Sequence, residues 1–314
     1  MDKARIDTWT QRSRALDLDG LAWDEIGRTP LAPEAVRTLL YMQDIESHTV
    51  VYVRQLLSTR VIDDPEVATF LACWFYEETF HGRALARFLT AAGHAPIVRE
   101  RSRRSLISRL EEQAMGALAR AWPDFAAVHM VWGAINELTT LTGYQRLAEL
   151  APHPVLADLL GRIIRDESRH FSFYYHQAER RLARPAVQRV ARFLVDRFWA
   201  PVGSGVQPDA EVRFVAEYLL DGRDGRAAAR KIDETIRRLP GFAGVALAEA
   251  WIDRMERAPA QPIPKAPSST SVRRGHERVQ ARLARACSTC TGSISVSTPS
   301  SADGRPYVAA RRSA

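Results

Sequence analysis

The sequence predicts an all-α fold whose centre is a four-helix bundle that binds two metal ions. Apolar residues recur every three to four positions over several long segments, which is the period of an α-helix. Two of these segments contain the spacing Glu-x-x-His, at Glu78 and His81 and again at Glu167 and His170. Because residues three apart lie on one face of a helix, each pair can bind the same metal ion.

Two isolated glutamates complete the pattern. Glu46 and Glu137 lie in the apolar stripes of two further predicted helices, 32 and 30 residues before the glutamate of a Glu-x-x-His pair. One glutamate from each of two helices, with Glu-x-x-His from each of two others, is the ligand set of a two-iron or two-manganese carboxylate site. With 19 glutamates and 8 histidines in 314 residues, chance predicts fewer than one such pair, whereas two are present. We therefore predict six metal ligands: Glu46, Glu78, His81, Glu137, Glu167 and His170.

The residue types suit iron better than zinc. Carboxylates are hard oxygen donors, and imidazole completes a site that suits iron. A zinc ion is commonly satisfied by four ligands, fewer than are available here. Four carboxylates also supply four negative charges, which balance two divalent ions.

Three further residues are candidates for supporting roles. Glu77 and Asp166 each precede the glutamate of a Glu-x-x-His pair. One step along a helix is a rotation of about 100°, so we predict that each acid accepts the ring N–H of the histidine from the opposite helix pair and fixes its tautomer. Thr140 follows Glu137 by one turn, and its hydroxyl either bonds its own helix backbone or faces the metals.

Helix start and stop signals predict the order of elements. The four ligand helices are predicted over 33–59, from the cap at Asp64 and Pro65 to the stop at Gly93, over 124–150 and over 155–182. Short loops within each half predict two antiparallel pairs, and a connector over 95–104 with a helix over 105–121 supplies the long crossover of a ferritin-like bundle. Four flanking helices are predicted over 185–198, 208–220, 226–239 and 241–255.

Composition predicts three regions: an N-terminal segment over 1–30 anchored by Trp9 and Trp23, a bundle with flanking helices over 31–257, and a disordered basic tail over 258–314. The net charge of +7 comes from the tail, because residues 261–314 contain nine Lys or Arg and two acids. Without a motif that reads bases, we predict no nucleic-acid partner.

Cys287 and Cys290 lack the second pair that a zinc site needs. We find no signal peptide and no apolar run that could span a membrane, and we predict a cytoplasmic protein.

At the ligand motifs the sequence resembles the soluble acyl-(acyl-carrier-protein) desaturases of the ferritin-like superfamily. Residues 77–82, Glu-Glu-Thr-Phe-His-Gly, are similar to that family's Glu-Glu-x-x-His-Gly element, and residues 166–170 are similar to its Asp-Glu-x-x-His element. Glu137 with Thr140 resembles the family's Glu-x-x-Thr, and Tyr174 matches a family tyrosine. The resemblance covers roughly residues 30–255.

The resemblance implies an enzyme with two ferrous ions that activates dioxygen and removes two hydrogens from the middle of a carrier-bound acyl chain. It implies a ferredoxin-type electron donor, acyl carrier protein as a partner, a homodimer, the six residues above as iron ligands and a catalytic role for Thr140. A desaturase would also need a narrow apolar channel past the metals.

Two alternatives stay open. One is another di-iron oxygenase, for instance one acting on amines, although Ile163 occupies the position of the additional ligand that some of these enzymes use. The other is a metal-storage bundle, against which the helices after residue 185 argue.

Overall fold

The computed structural model describes residues 3–97 and 116–257, and within these ranges it contains helices and no β-strand, apart from one bridge between Ser204 and Gln207. The all-α prediction is confirmed. The helices are α1 (Lys3–Arg12), α2 (Pro33–Ser47), α3 (Thr49–Leu57), α4 (Pro65–Ala91), α5 (Phe125–Leu150), α6 (Pro154–Arg181), α7 (Pro185–Phe198), α8 (Asp209–Leu220), α9 (Gly222–Ile236) and α10 (Leu247–Arg257), with short 3-10 helices at Trp23–Arg28 and Arg60–Asp63.

The bundle consists of two antiparallel helix pairs, α2 with α4 and α5 with α6. The first pair can approach closely because α4 has a glycine at the level of the ligands. A Cβ atom on Gly82 would lie 3.1 Å from the Cβ of Glu46 and 3.2 Å from the Oγ of Ser47. Helices α7 to α10 flank the bundle, so the predicted ferritin-like architecture with extra helices is confirmed.

Helix α4 begins and ends where the sequence predicted. The Asp64 carboxylate accepts a hydrogen bond of 3.0 Å from the backbone N–H of Glu66, and Pro65 occupies the first helical position. Beyond the last turn, Gly93 has a φ of +83°, a conformation that favours glycine.

The prediction of a single helix over 33–59 is wrong, because the chain forms two helices there, separated at His48. The His48 backbone has φ −100° and ψ 2°, and the Ser47 hydroxyl bonds the carbonyl of Gln43, a local bond that competes with regular helix geometry. After this break the apolar stripe changes direction. Val50 and Leu57, two apolar residues of α3, are 49% and 48% exposed.

The last two flanking helices also differ from the prediction. Helix α9 begins at Gly222, earlier than expected, and α10 begins only at Leu247 because Gly241 and Gly244 have φ values of +85° and +73°. The start of α10 is fixed by Asp233, whose carboxylate accepts 3.0 Å bonds from three successive backbone N–H groups, those of residues 247–249. This cap is remote in sequence and no local signal announces it.

The N-terminal segment packs on the bundle through its tryptophans. Trp9 of α1 lies against Phe70 and Phe173, and Arg87 lies 3.8 Å over the ring of Trp23.

None of the helices in residues 3–97 and 116–257 is both long and apolar enough to cross a membrane. The predictions for the connector, for most of the helix over 105–121 and for the tail with Cys287 and Cys290 fall outside the described residues.

Candidate metal centre

Helices α2, α4, α5 and α6 bring all six predicted ligands together in the interior. The residues form two groups, and within each group one potential ligand atom per residue lies within 4.8 Å of the others. All six residues are buried. Glu78 and Glu167 belong to both groups and would therefore be shared by two adjacent ions. The groups are Glu46, Glu78, His81 and Glu167, and Glu78, Glu137, Glu167 and His170.

The donor atoms of this cluster fit a pair of metal ions. A buried polar atom without a hydrogen bond is costly, and most such atoms in proteins are paired. Here six such atoms make no hydrogen bond to a described group outside the cluster, and they face one another, with His81 Nδ1 3.2 Å from Glu167 Oε1 and His170 Nδ1 3.0 Å from Glu78 Oε1. They are Glu46 Oε2, Glu78 Oε1, His81 Nδ1, both carboxylate oxygens of Glu167 and His170 Nδ1.

The two histidines are oriented by acids of the opposite helix pair. Nε2 of His170 lies 2.7 Å from Oε2 of Glu77, and Nε2 of His81 lies 3.2 Å from Oδ2 of Asp166. Because a carboxylate only accepts, each Nε2 carries a proton, which leaves Nδ1 as the nitrogen that can bind a metal ion. The structure therefore brings Glu77 and Asp166 to the positions that the sequence predicted for them.

Arg169 joins these two acids, and sequence reasoning missed it. Its Nη2 donates to Oε2 of Glu77 at 3.1 Å and to Oδ1 of Asp166 at 2.6 Å. Burial alone would raise the pKa of both acids, but the hydrogen bonds from the histidines and from Arg169 outweigh it and lower the pKa of each. Both acids are therefore ionised. In the sequence, the position of Arg169 between Asp166 and His170 was the available sign that it lies near these acids.

The electrostatics of the ligands show an excess of negative charge. Burial, followed by the charge of neighbouring carboxylates, raises the pKa of Glu46 and also outweighs the His170 hydrogen bond in raising that of Glu137. Burial alone would lower the pKa of His81, but hydrogen bonds to Asp166 and Glu167 raise it to about 9. Burial alone would also lower the pKa of His170, but its hydrogen bonds with neighbouring carboxylates, Glu137 and Glu167 first among them, raise it. Without metal the cluster retains protons, so binding of cations releases them.

Tyr144 contacts the cluster and was not among the predicted site residues. Its ring is fully buried on α5 and its hydroxyl donates to Oε1 of Glu46. The sequence signal was the spacing, because Tyr144 follows Glu137 by seven residues and so lies on the same face of the helix.

Thr140 faces the interior beside the cluster. The hydroxyls of Thr139 and Thr142 bond backbone carbonyls one turn earlier, at 2.8 Å and 2.7 Å. No such bond of the Thr140 hydroxyl occurs among the described residues. Thr140 lines both cavities described below, and a role for its hydroxyl at the site stays a prediction.

A cavity of about 830 Å³ adjoins the cluster. One face of α5 lines it from Phe125 to Thr140, and four of the predicted ligands, Glu46, Glu78, Glu137 and Glu167, form part of its wall. A smaller cavity of about 110 Å³ shares Glu46 and Thr140 with it. Both cavities therefore lie next to the predicted ligand Glu46.

The shape of the larger cavity depends on a glycine. The ring of Tyr174 lies on α5 where a Cβ at Gly133 would approach its Cδ1 atom to 2.3 Å. The Tyr174 ring also packs edge-on against Phe70 and Trp74, with ring centres 4.9 Å and 5.8 Å apart. These aromatic rings give the wall near the ligands its apolar character.

The comparisons with known proteins agree with the geometry. Residues 48–196 match the model of the fatty acid desaturase family. The desaturase match includes α4, α5 and α6, which carry five of the six predicted ligands, and it begins two residues after the sixth, Glu46. No curated protein and no solved structure matches the chain. The match covers a little under half of the chain, and over these residues the chain is similar to fatty acid desaturases.

Proposed function

We propose that this protein is a di-iron oxidoreductase that uses dioxygen to introduce a double bond into a carrier-bound fatty acyl chain. The observation that carries the proposal is the contact between the ligand cluster and the larger cavity. Glu46, Glu78, Glu137 and Glu167 form part of the wall of that cavity, so a chain bound there would lie beside the metals. The desaturase family match supports the same reaction class.

The proposed reaction balances with two electrons from an external donor, delivered one at a time. Two iron ions bound by the six ligands would supply the activation of dioxygen. Two adjacent carbons each lose one hydrogen and gain a double bond, and the acyl chain gives up two electrons. Two more electrons, from a ferredoxin-type donor, and two protons complete the reduction of dioxygen to two waters.

The side chains of the protein position the reactants. The cavity wall holds a flexible acyl chain extended and excludes water, which favours reaction at one position. Glu77, Asp166 and Arg169 hold the two histidines in the tautomer that presents Nδ1 to the cluster. Thr140 lines both cavities, and its hydroxyl is placed to donate a hydrogen bond or a proton to a group at the site.

Acyl carrier protein, the ferredoxin-type donor and a homodimer belong to this proposal through the family resemblance, and a cytoplasmic location is part of the same proposal. Two exposed arginines, Arg54 and Arg120, line the cavity and would suit an anionic carrier.

Ile163 is fully buried among apolar side chains and offers no seventh ligand, which disfavours the amine oxygenase alternative. The cavity of about 830 Å³ beside the ligands disfavours a storage bundle.

The test is turnover with defined components. The full chain would be loaded with ferrous iron and supplied with oxygen, a ferredoxin system and acyl-carrier substrates, and the products would be analysed by mass spectrometry. We expect loss of two hydrogens from the acyl chain. Addition of an oxygen atom would instead identify a hydroxylase, and iron uptake without any change in the chain would favour storage. Loading with manganese in parallel tests the choice of metal.

A further inference from the structure

His129 occupies an unusual position in the wall of the larger cavity. It lies on α5 between Phe125 and Trp132, which line the cavity with it, and its ring packs edge-on against Phe125 with ring centres 4.9 Å apart. Its Nε2 atom is buried and has no hydrogen-bond partner among the described residues. Burial lowers the pKa of His129 to about 4, so the imidazole is neutral at physiological pH.

Two hydroxyls of this wall already have partners within the protein, whereas Nε1 of Trp74 is, like Nε2 of His129, a buried nitrogen without one among the described residues. The Thr59 hydroxyl donates to the carbonyl of Leu56 at 2.8 Å, and the Ser58 hydroxyl donates to the carbonyl of Gln55 at 2.7 Å. His129 differs because a ring nitrogen of a neutral imidazole stays unpaired in an apolar setting. Binding therefore favours a ligand that brings a hydrogen-bonding group to this point.

The distance from His129 to the cluster defines where that group lies on the ligand. His129 precedes Glu137 by eight residues on one continuous helix, which is an axial separation of about 12 Å. Both residues line the same cavity, and so do Trp132, Gly133 and Asn136 between them. An extended chain advances about 1.2 Å per single bond. The polar group and the carbons beside the metals are then roughly ten bonds apart.

We propose that His129 is a specificity-determining residue that donates a hydrogen bond from Nε2–H to the carbonyl oxygen of the bound acyl group. This inference rests on the proposed function, since the ligand considered is the acyl chain of that reaction. His129 acts by fixing the position of the chain along the cavity. It takes no part in the chemistry at the metals.

Binding of two matched probes tests this inference without turnover. The probes are the hexadecanoyl thioester of N-acetylcysteamine and the corresponding hexadecyl thioether, which lacks only the carbonyl oxygen. Dissociation constants would be measured by calorimetry on the iron-loaded full chain under nitrogen. We expect the wild type to bind the thioester about tenfold more tightly than the thioether, the effect of about one hydrogen bond.

Three variants test whether His129 causes the preference for the thioester. His129→Phe should bind both probes equally, and His129→Gln, which keeps a donor, should recover part of the preference. Ser58→Ala removes a cavity hydroxyl that is already paired, and it should keep the tenfold preference. Thermal unfolding followed by circular dichroism identifies a variant that fails to fold.

The inference is overturned if the wild type binds the two probes within twofold of each other, or if His129→Phe and His129→Gln both keep the full preference. Those results would leave the proposed function standing if the thioester is still desaturated. Conversely, a His129-dependent preference in a protein that desaturates no acyl chain would retain the hydrogen-bond site and reject the reaction.

Discussion

The hydroxyl of Tyr144 donates a hydrogen bond to Oε1 of Glu46 in the interior of the bundle. The other oxygen of Glu46 has no hydrogen-bond partner among the described residues and faces the cluster. One oxygen of this carboxylate is thus fixed by the protein, and the other is left for a metal ion. Tyr144 would therefore orient Glu46 toward a metal ion bound in the cluster.

Substitution Tyr144→Phe removes this donor and keeps the shape of the side chain. We expect iron affinity to fall by about 10- to 100-fold, as is typical when a group that orients a ligand is lost. Competition with a chelator measures the affinity. Tyr41→Phe, on the same helix as Glu46, is the control, because the Tyr41 hydroxyl bonds the carbonyl of Val202. Equal affinities in the two variants would contradict the role of Tyr144.

Glu77→Gln tests the orientation of His170. The substituted amide can present N–H to Nε2 of His170, which favours the tautomer with the proton on Nδ1 and blocks the lone pair that would bind metal. We expect iron affinity to decrease by about 10- to 100-fold with the helical content unchanged. Glu66→Gln, on the same helix at its ion pair with Arg180, should bind iron as the wild type does. Iron binding by Glu77→Gln at wild-type strength would reject the orienting role.

Glu167→Ala tests the metal centre directly, because Glu167 belongs to both ligand groups. We expect fewer than two bound metals per chain by elemental analysis and no turnover, with a far-ultraviolet circular dichroism spectrum like that of the wild type. His170→Ala should behave similarly. Retention of two metals in either variant would count against the assignment.

Gly133→Ala tests the packing of the cavity wall. The added methyl group would lie 2.3 to 2.8 Å from three ring carbons of Tyr174, and Phe70 and Trp74 restrict movement of that ring. We expect a loss of about 1–3 kcal/mol in the free energy of unfolding, measured with urea. Gly161→Ala on α6 has nothing within 4 Å and should instead stabilise the protein by about 0.5–1 kcal/mol. Destabilisation of the same size in both would show that Tyr174 is not the cause.

Stability should depend on pH through His129. In the folded protein burial lowers its pKa to about 4, whereas the ordinary value is 6.5. Between these values the unfolded state binds more protons, so stability falls as the pH decreases from 6.5 towards 4. Between pH 7 and pH 5 the wild type should lose about 2 kcal/mol more than His129→Gln does. Urea unfolding at the two pH values measures this difference, and parallel curves for the two proteins would contradict it.

Local sequence patterns were enough to predict the ligand helices and the residues on them. Helix periodicity placed Glu78 with His81 and Glu167 with His170, and the adjacent acids Glu77 and Asp166 followed from a single rotation along the helix. These relationships depend on spacing within one element. Pairing of helices through short loops then determined which histidine meets which acid.

The features that were missed depend on contacts between elements. The interruption at His48 arises from side-chain bonds to the backbone, and the late start of α10 depends on Asp233 from a different helix. The roles of Tyr144 and His129 follow from what lies opposite them, a carboxylate in one case and a cavity in the other. The sequence does not distinguish an aromatic residue or a histidine that packs in the core from one that contacts a ligand site.

Glu78 comes from the first helical hairpin and Glu167 from the second, yet each contributes to both ligand groups. Neither hairpin therefore contains a complete coordination sphere by itself. Occupation of the centre would crosslink the two halves of the chain through ionic bonds, much as a disulfide crosslinks distant segments. Removing the metals should consequently loosen the association of the hairpins more than the helices within them.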